Sequence, residues 1–214
     1  MLGDAMIRPE TRGTPPARLV GITGNSGCGQ STAADFASGF CDGVCSLDSV
    51  GHRLLDRSYI ASDLAMRLCR PDLLQLRGPE LRRELGRTAF SDPALMGAVN
   101  AVMHPRLQGW ARAAAARLRT LPGLWVLEGA LIVELGLAPM LDRLIVVRDT
   151  LERCAARVSA RDGVRETETA LRWERQLPLE TKASMADWVI ENNGSKADMR
   201  TRIVSIFAGM NRPD

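Results

Sequence analysis

The chain has 214 residues, enough for one substantial α/β domain with a modest insertion and too few for two ordinary independent domains. Its 28 Lys and Arg against 25 Asp and Glu leave a net charge of +3, a balance that calls for no nucleic-acid partner. Five scattered cysteines without a Cys-x-x-Cys pair and two histidines argue against a metal centre or disulfide framework, and no apolar run approaches the ~20 residues that span a membrane.

Residues 1–17 carry Arg8, Pro9, Arg12, Pro15 and Pro16 with no apolar stretch, the pattern of a flexible tail and not of a signal peptide, so the reducing cytoplasm is the expected compartment. A single domain is expected over 18–214. Leu19 to Thr23 reads as a strand buried on both faces of a parallel sheet, followed after a glycine-rich turn by a helix from Ser31 to Phe40. A second short strand, Val44 to Leu47, ends at Asp48. Ser49 to Arg70 is patterned as a helix that Pro71 stops.

Residues 72–121 show no strand signal, and Pro79, Pro93 and Pro105 divide them into short helical pieces; an excursion of this length reads as a substrate-binding insertion. Strands follow at Leu124–Leu127, ending at Glu128, and at Leu144–Val147, ending at Arg148-Asp149. Helices at Leu151–Arg161 and Glu166–Gln176 suit a mobile lid over 151–182. Trp188–Ile190 is a last strand, and Met199, Ile203, Ile206 and Phe207 mark a closing amphipathic helix. Strands alternating with helices predict an α/β fold, a parallel sheet flanked by helices with ligands bound beyond the carboxyl ends of the strands.

The chemistry starts at the first of those ends. Gly24-Asn25-Ser26-Gly27-Cys28-Gly29-Gln30-Ser31-Thr32 follows the phosphate-loop pattern of Gly, four residues, Gly, Lys and Ser or Thr, in which backbone N–H groups wrap phosphates at a helix N-terminus. Gly24, Gly29 and Ser31 fit, whereas Gln30 stands where lysine is expected. Asp48 is placed as a general base for an alcohol acceptor, and Glu128 as an acid that holds Mg²⁺ beside the Ser31 hydroxyl. Arg153, Arg157 and Arg161 recur every four residues on one drifting helix face, and Arg172, Arg175 and Gln176 follow on the next helix. Taken alone, His104-Pro105 marks a turn or helix start, and Asn192 a turn.

In this order the motifs resemble the dephospho-CoA kinases, bacterial P-loop kinases that phosphorylate the ribose 3′-hydroxyl of dephospho-CoA with ATP in the last step of coenzyme A biosynthesis. The resemblance runs from about residue 19 to 207. The family's glycine loop falls on Gly24 to Thr32, and its Asp-Ala-Asp motif on Ser46-Leu47-Asp48, so that the catalytic aspartate is Asp48. An Arg-x-x-Leu stretch leading to Phe and Asp-Pro falls on Arg82, Leu85, Phe90 and Asp92-Pro93, and the family's His-Pro on His104-Pro105. The acidic strand end followed by Pro-Leu-Leu-x-Glu matches Glu128 and Ala130 to Glu134, with Ala130 in place of proline. The lid pattern matches Arg157, Arg161-Asp162-Gly163, Arg172, Gln176 and Lys182, and the closing motif Ala186 to Asn192.

The resemblance implies a P-loop kinase-type sheet with a helical insertion and lid, ATP and Mg²⁺ as cofactors, and dephospho-CoA as substrate. It gives Asp48, Arg157 and Arg161 catalytic roles, sets Arg82, His104 and Glu128 on the substrate side, and puts Asn192 near the adenine of ATP. No nucleic-acid or membrane partner is implied. Gln30, Ser46 and Ala130 keep two other readings open: a nucleotide-binding sensor without strong catalysis, and a P-loop kinase for another nucleoside or small alcohol.

Overall fold

The computed structural model describes residues 19–91 and 93–210, apart from the side chains at 88–91 and 93. The tail expected at 1–17 and Asp92 of the Asp-Pro motif lie outside them. In chain order the elements are β1 (Leu19–Thr23), α1 (Gln30–Ala37), β2 (Gly43–Ser46), α2 (Leu47–Leu55), α3 (Ser58–Arg67), α4 (Gly78–Ser91) and α5 (Pro93–Leu118). They continue with β3 (Trp125–Glu128), β4 (Arg143–Arg148), α6 (Leu151–Asp162), α7 (Glu166–Glu174), α8 (Leu179–Ser184), β5 (Trp188–Glu191) and α9 (Lys196–Met210). Leu47–Ala113 form one compact unit, and the chain before and after them the other.

The second of these contains a five-stranded sheet in the order β2-β3-β1-β4-β5, parallel throughout. All five residues of β1 are buried, as its uninterrupted apolar run requires of a central strand covered on both faces. Val20, Ile22, Val126, Ile145, Val147 and Ile190 of the sheet pack with Ala33, Ala34 and Ala37 of α1 and Met199, Ile203 and Phe207 of α9. Each fully buried aliphatic or aromatic side chain here contributes about 1.5–3 kcal/mol.

Acidic residues divide by sheet edge. At the amino ends of the strands, carboxylates accept backbone N–H groups and fix where strands begin: Asp142 from Leu19 at 2.8 Å, Asp187 from Leu144 at 2.7 Å and Asp42 from Leu124 at 2.8 Å. At the carboxyl ends stand Glu128 and Asp149, with the glycine loop directly after β1.

The helical unit is held by Leu55, Ile60, Leu64, Leu73, Leu81, Val102 and Met103, with Arg106 paired to Asp63 at its surface. It is delimited at Leu47–Ala113, against the expected 72–121. The single helix expected over 49–70 is two, because Arg57 adopts an extended conformation (φ −81°, ψ 129°) between α2 and α3. Prolines also act differently from the expected breaks. Pro79 and Pro93 sit in the first turns of α4 and α5, where a missing N–H costs nothing. Pro105 lies inside the 26-residue α5. It deprives the Ala101 carbonyl of its helical donor, and since Ala101 and Pro105 are both exposed, water can replace that bond.

Candidate active site

The loop after β1 is fixed at its base by side chain and backbone together. The Thr23 hydroxyl donates to the Gly129 carbonyl at 2.8 Å, and the Gly129 N–H donates to Ile22 O at 3.1 Å, tying the carboxyl ends of β1 and β3. Cys28 N–H donates to Asn25 O at 2.9 Å, closing a turn, and Gly29 with φ 102° becomes the N-cap of α1. Gly27 (φ 84°) and Gly29 need glycine for space as well as dihedral. A Cβ on Gly27 would lie 2.6 Å from the Cys154 carbonyl, and one on Gly29 2.6 Å from Asn192 Nδ2. Beyond Gly29 the first N–H groups of α1 have no intrahelical acceptor, the arrangement that favours an anion.

Ser31 and Glu128, 97 residues apart in the chain, meet beside this helix start: the Ser31 hydroxyl donates to Glu128 Oε1 at 3.0 Å. Parallel pairing that sets Glu128 level with Ile22 of β1 brings them together. Glu128 is 2% exposed. A hydroxyl and a carboxylate are oxygen donors of the kind a hard divalent cation takes. Gln30 is buried at 7% exposure, and its Oε1 has no hydrogen-bond partner among the described residues.

The arginine stripe of α6 splits. Arg157 donates to Asp149, to Asn192 O at 2.7 Å and to Gly27 O at 3.4 Å, so it reaches the loop from behind. Arg153 reaches Asp149 at 3.0 Å and Asn193 O at 3.0 Å. Arg161 instead bonds its neighbour Asp162 at 2.7 and 2.8 Å. Burial pushes the Asp149 carboxyl up, but the Thr150 N–H and the two guanidinium groups outweigh it and hold Asp149 below the usual carboxylate range. Asn192 donates from Nδ2 to Cys28 O at 2.8 Å, a further brace on the loop.

Further contacts tie this loop and Glu134 to residues 173–182, and the sequence singles out only some of the residues that make them. Trp173, near the end of α7, donates from Nε1 to Ser26 O at 2.8 Å. Gln176 accepts the Ser26 N–H at 2.9 Å, so both polar groups of one loop residue are held by side chains three positions apart. Asn25 Nδ2 donates to Leu177 O at 3.4 Å, and Leu177 N–H donates to Glu134 Oε1 at 3.0 Å. That same carboxylate oxygen meets Lys182 Nζ at 2.7 Å, and Nζ also donates to Ala130 O at 2.8 Å. Lys182 is fully buried; burial pushes its ammonium below the usual range and Glu134 partly restores it. Only membership of the lid pattern hinted at Lys182, and nothing at Trp173.

Cys28 and Cys154 are both buried with sulfurs 3.6 Å apart. The Cys154 thiol donates to Cys28, which holds Cys28 below the ordinary thiol range and Cys154 above it.

On the helical unit, Asp48 is exposed in the first turn of α2, two residues after β2 ends. Arg82 is half-buried on α4. His104 is half-buried within α5, so His104-Pro105 forms neither a turn nor a helix start.

With a glycine loop capping a helix after the central strand of a 2-3-1-4-5 parallel sheet, comparison with known proteins is decisive. The sequence model of the dephospho-CoA kinase family matches residues 18–198. The chain belongs to the dephospho-CoA kinase family. A dephospho-CoA kinase of Thermus thermophilus is 32% identical over 190 residues, covering 89% of this chain and 90% of that one. A crystal structure of a Thermus thermophilus protein, 32% identical, superposes with a TM-score of 0.69 over 93% of this chain and 100% of its own. A dephospho-CoA kinase from Campylobacter jejuni, 22% identical, shares the fold with a TM-score of 0.65, covering 90% and 96% of the two chains. In this family member Gln30 stands where the phosphate-loop pattern has lysine, directly before the Ser31 that contacts Glu128. Among the described residues, no helix is long and apolar enough to cross a membrane.

Proposed function

We propose that this chain transfers the γ-phosphoryl group of ATP to the ribose 3′-hydroxyl of dephospho-CoA. The observation that carries this reading is the Ser31–Glu128 contact at 3.0 Å beside the start of α1, where phosphate-cradling N–H groups and oxygen ligands for a cation converge. Residues 24–32 hold the triphosphate, chiefly through backbone N–H groups of the loop and of α1. Ser31 and Glu128 would hold Mg²⁺, which when bound neutralises charge on the β- and γ-phosphates. Asp48 orients the acceptor hydroxyl and takes its proton as the oxygen attacks phosphorus and the bond to the β-phosphate oxygen breaks. On this reading Arg82 and His104 bind the acceptor, and Asn192 meets the adenine. Arg157 and Arg161 serve the lid, with Arg157 already seated on the loop. The cytoplasm is the compartment this reading implies.

A second reading, a nucleotide-binding protein with weak catalysis, is favoured by one feature: Arg157 and Lys182, the cations tied to this loop region, are each engaged by a carboxylate. Turnover of MgATP and dephospho-CoA by the purified protein, beside Gln30→Lys and Asp48→Asn, decides between them. The wild type is expected to turn over. Asp48→Asn should lose roughly 10²–10⁴-fold, and Gln30→Lys should gain up to roughly 10²–10³-fold. A wild type that is silent where Gln30→Lys is active would overturn the kinase reading, and an Asp48→Asn variant at full rate would remove Asp48 as base.

A further inference from the structure

Three successive carbonyls of the loop are each held from outside by a side-chain donor. Ser26 O accepts from Trp173 Nε1 at 2.8 Å, Gly27 O from Arg157 Nη1 at 3.4 Å and Cys28 O from Asn192 Nδ2 at 2.8 Å. The donors come from α7, α6 and the end of β5. In a trans peptide the C=O of one residue and the N–H of the next point in opposite directions. Anchoring these carbonyls therefore turns the N–H groups of Gly27 and Gly29 away from the three donors, while the Cys28 N–H between them closes the turn onto Asn25 O. Gly27 and Gly29, at φ 84° and 102°, give the alternation of backbone conformation in which successive N–H groups form an anion-binding concavity. Ser26, at the start of the run, is held at both ends, since its own N–H is taken by Gln176.

We infer that Trp173 is a positioning residue of the phosphate loop, acting with Arg157 and Asn192 to aim its N–H groups before nucleotide arrives, and that this preorganisation offsets the charge missing at Gln30. A lysine ammonium on a flexible stem adjusts to the phosphates as they bind. A neutral loop lacks that attraction, so the cost of ordering its peptides weighs fully on affinity unless they are ordered beforehand. Trp173 carries the inference because its hydrogen bond to the loop runs through one donor atom, and Trp173→Phe removes that donor while leaving a smaller aromatic ring in place. The inference rests on Gly24–Thr32 being the ATP phosphate site.

The test is a double-variant cycle of Trp173→Phe and Gln30→Lys on the full chain, with MgATP affinity measured by calorimetry and folding checked by melting temperature. Loss of one neutral hydrogen bond should raise the MgATP Kd about three- to tenfold at unchanged melting temperature. In the Gln30→Lys background the same change should raise it less than about twofold. Amide exchange at Gly27–Gly29 should quicken in Trp173→Phe, and in turnover the KM for ATP should rise while kcat and the KM for dephospho-CoA hold. An unchanged Kd with unchanged exchange, or an equal penalty in both backgrounds, overturns the inference, as does a wild type that binds no MgATP. Failure to phosphorylate dephospho-CoA with these affinity shifts intact would overturn the kinase reading alone.

Discussion

Two sets of ion pairs are tied to the glycine loop, and water reaches them unequally. On one side Arg157 and Arg153 converge on Asp149, whose side chain is 1% exposed while the guanidinium groups remain 35% and 48% exposed. On the other, Lys182 is wholly buried against Glu134, itself 12% exposed. The first pair can be remade cheaply, because its cations keep their hydration. The second cannot, because an ammonium that has lost its water depends on the carboxylate and on the Ala130 carbonyl. The Asp149 side is therefore suited to rearrange, and the Glu134 side to hold α8 and, through Leu177, Asn25 in place.

The largest effect should come from breaking the dry pair. Glu134→Leu leaves a buried charge without its partner and also releases the Leu177 N–H. The expected loss is about 3–5 kcal/mol, read as a melting temperature lower by roughly 10 °C or more. Adding Lys182→Met should recover most of the loss; no recovery would mean that Glu134 acts through Leu177 and not through the ammonium. Arg157→Met, on the wet side, should move melting by little but weaken MgATP binding by about tenfold, since a charge-assisted brace on Gly27 is lost. Equal effects of the two variants on stability would erase the distinction between the sides.

The smallest effect is in pH. Because the Asp149 carboxyl is held below its unfolded value, it contributes stability that is complete above that value, near 4, and is lost as pH falls through the lower folded one. Urea midpoints taken from pH 6 downward should fall more steeply for the wild type than for Asp149→Asn, whose acid limb should be flatter. Parallel limbs would show that other carboxylates govern acid unfolding.

The sheet was legible because its three inner strands are buried apolar runs followed by glycine or acid, so β1 and the start of α1 follow closely from the sequence. The glycine turn after β1 was legible for the same local reason, and the Ser31–Glu128 contact followed from parallel strand order. The helical unit was less so. Its prolines looked like breaks, yet Pro79 and Pro93 open helices and Pro105 sits on an exposed face, distinctions that depend on where solvent lies and not on composition. The equal spacing of Arg153, Arg157 and Arg161 was legible as one helix face, but their partners were not: Asp149 pairs with the first two and Asp162 with the third. Trp173 was invisible for a deeper reason: its role lies in one N–H aimed at a carbonyl 147 residues away, and no periodicity records that.

Gln30 and the burial of Lys182 have a joint consequence for covalent reactivity. The chain contains two lysines; Lys182 is enclosed, and Lys196 lies exposed at the start of α9. Its glycine loop carries no ε-amine at all. Acyl thioesters, aldehydes and other electrophiles that cap a lysine amine meet at position 30 a carboxamide with no amine to cap.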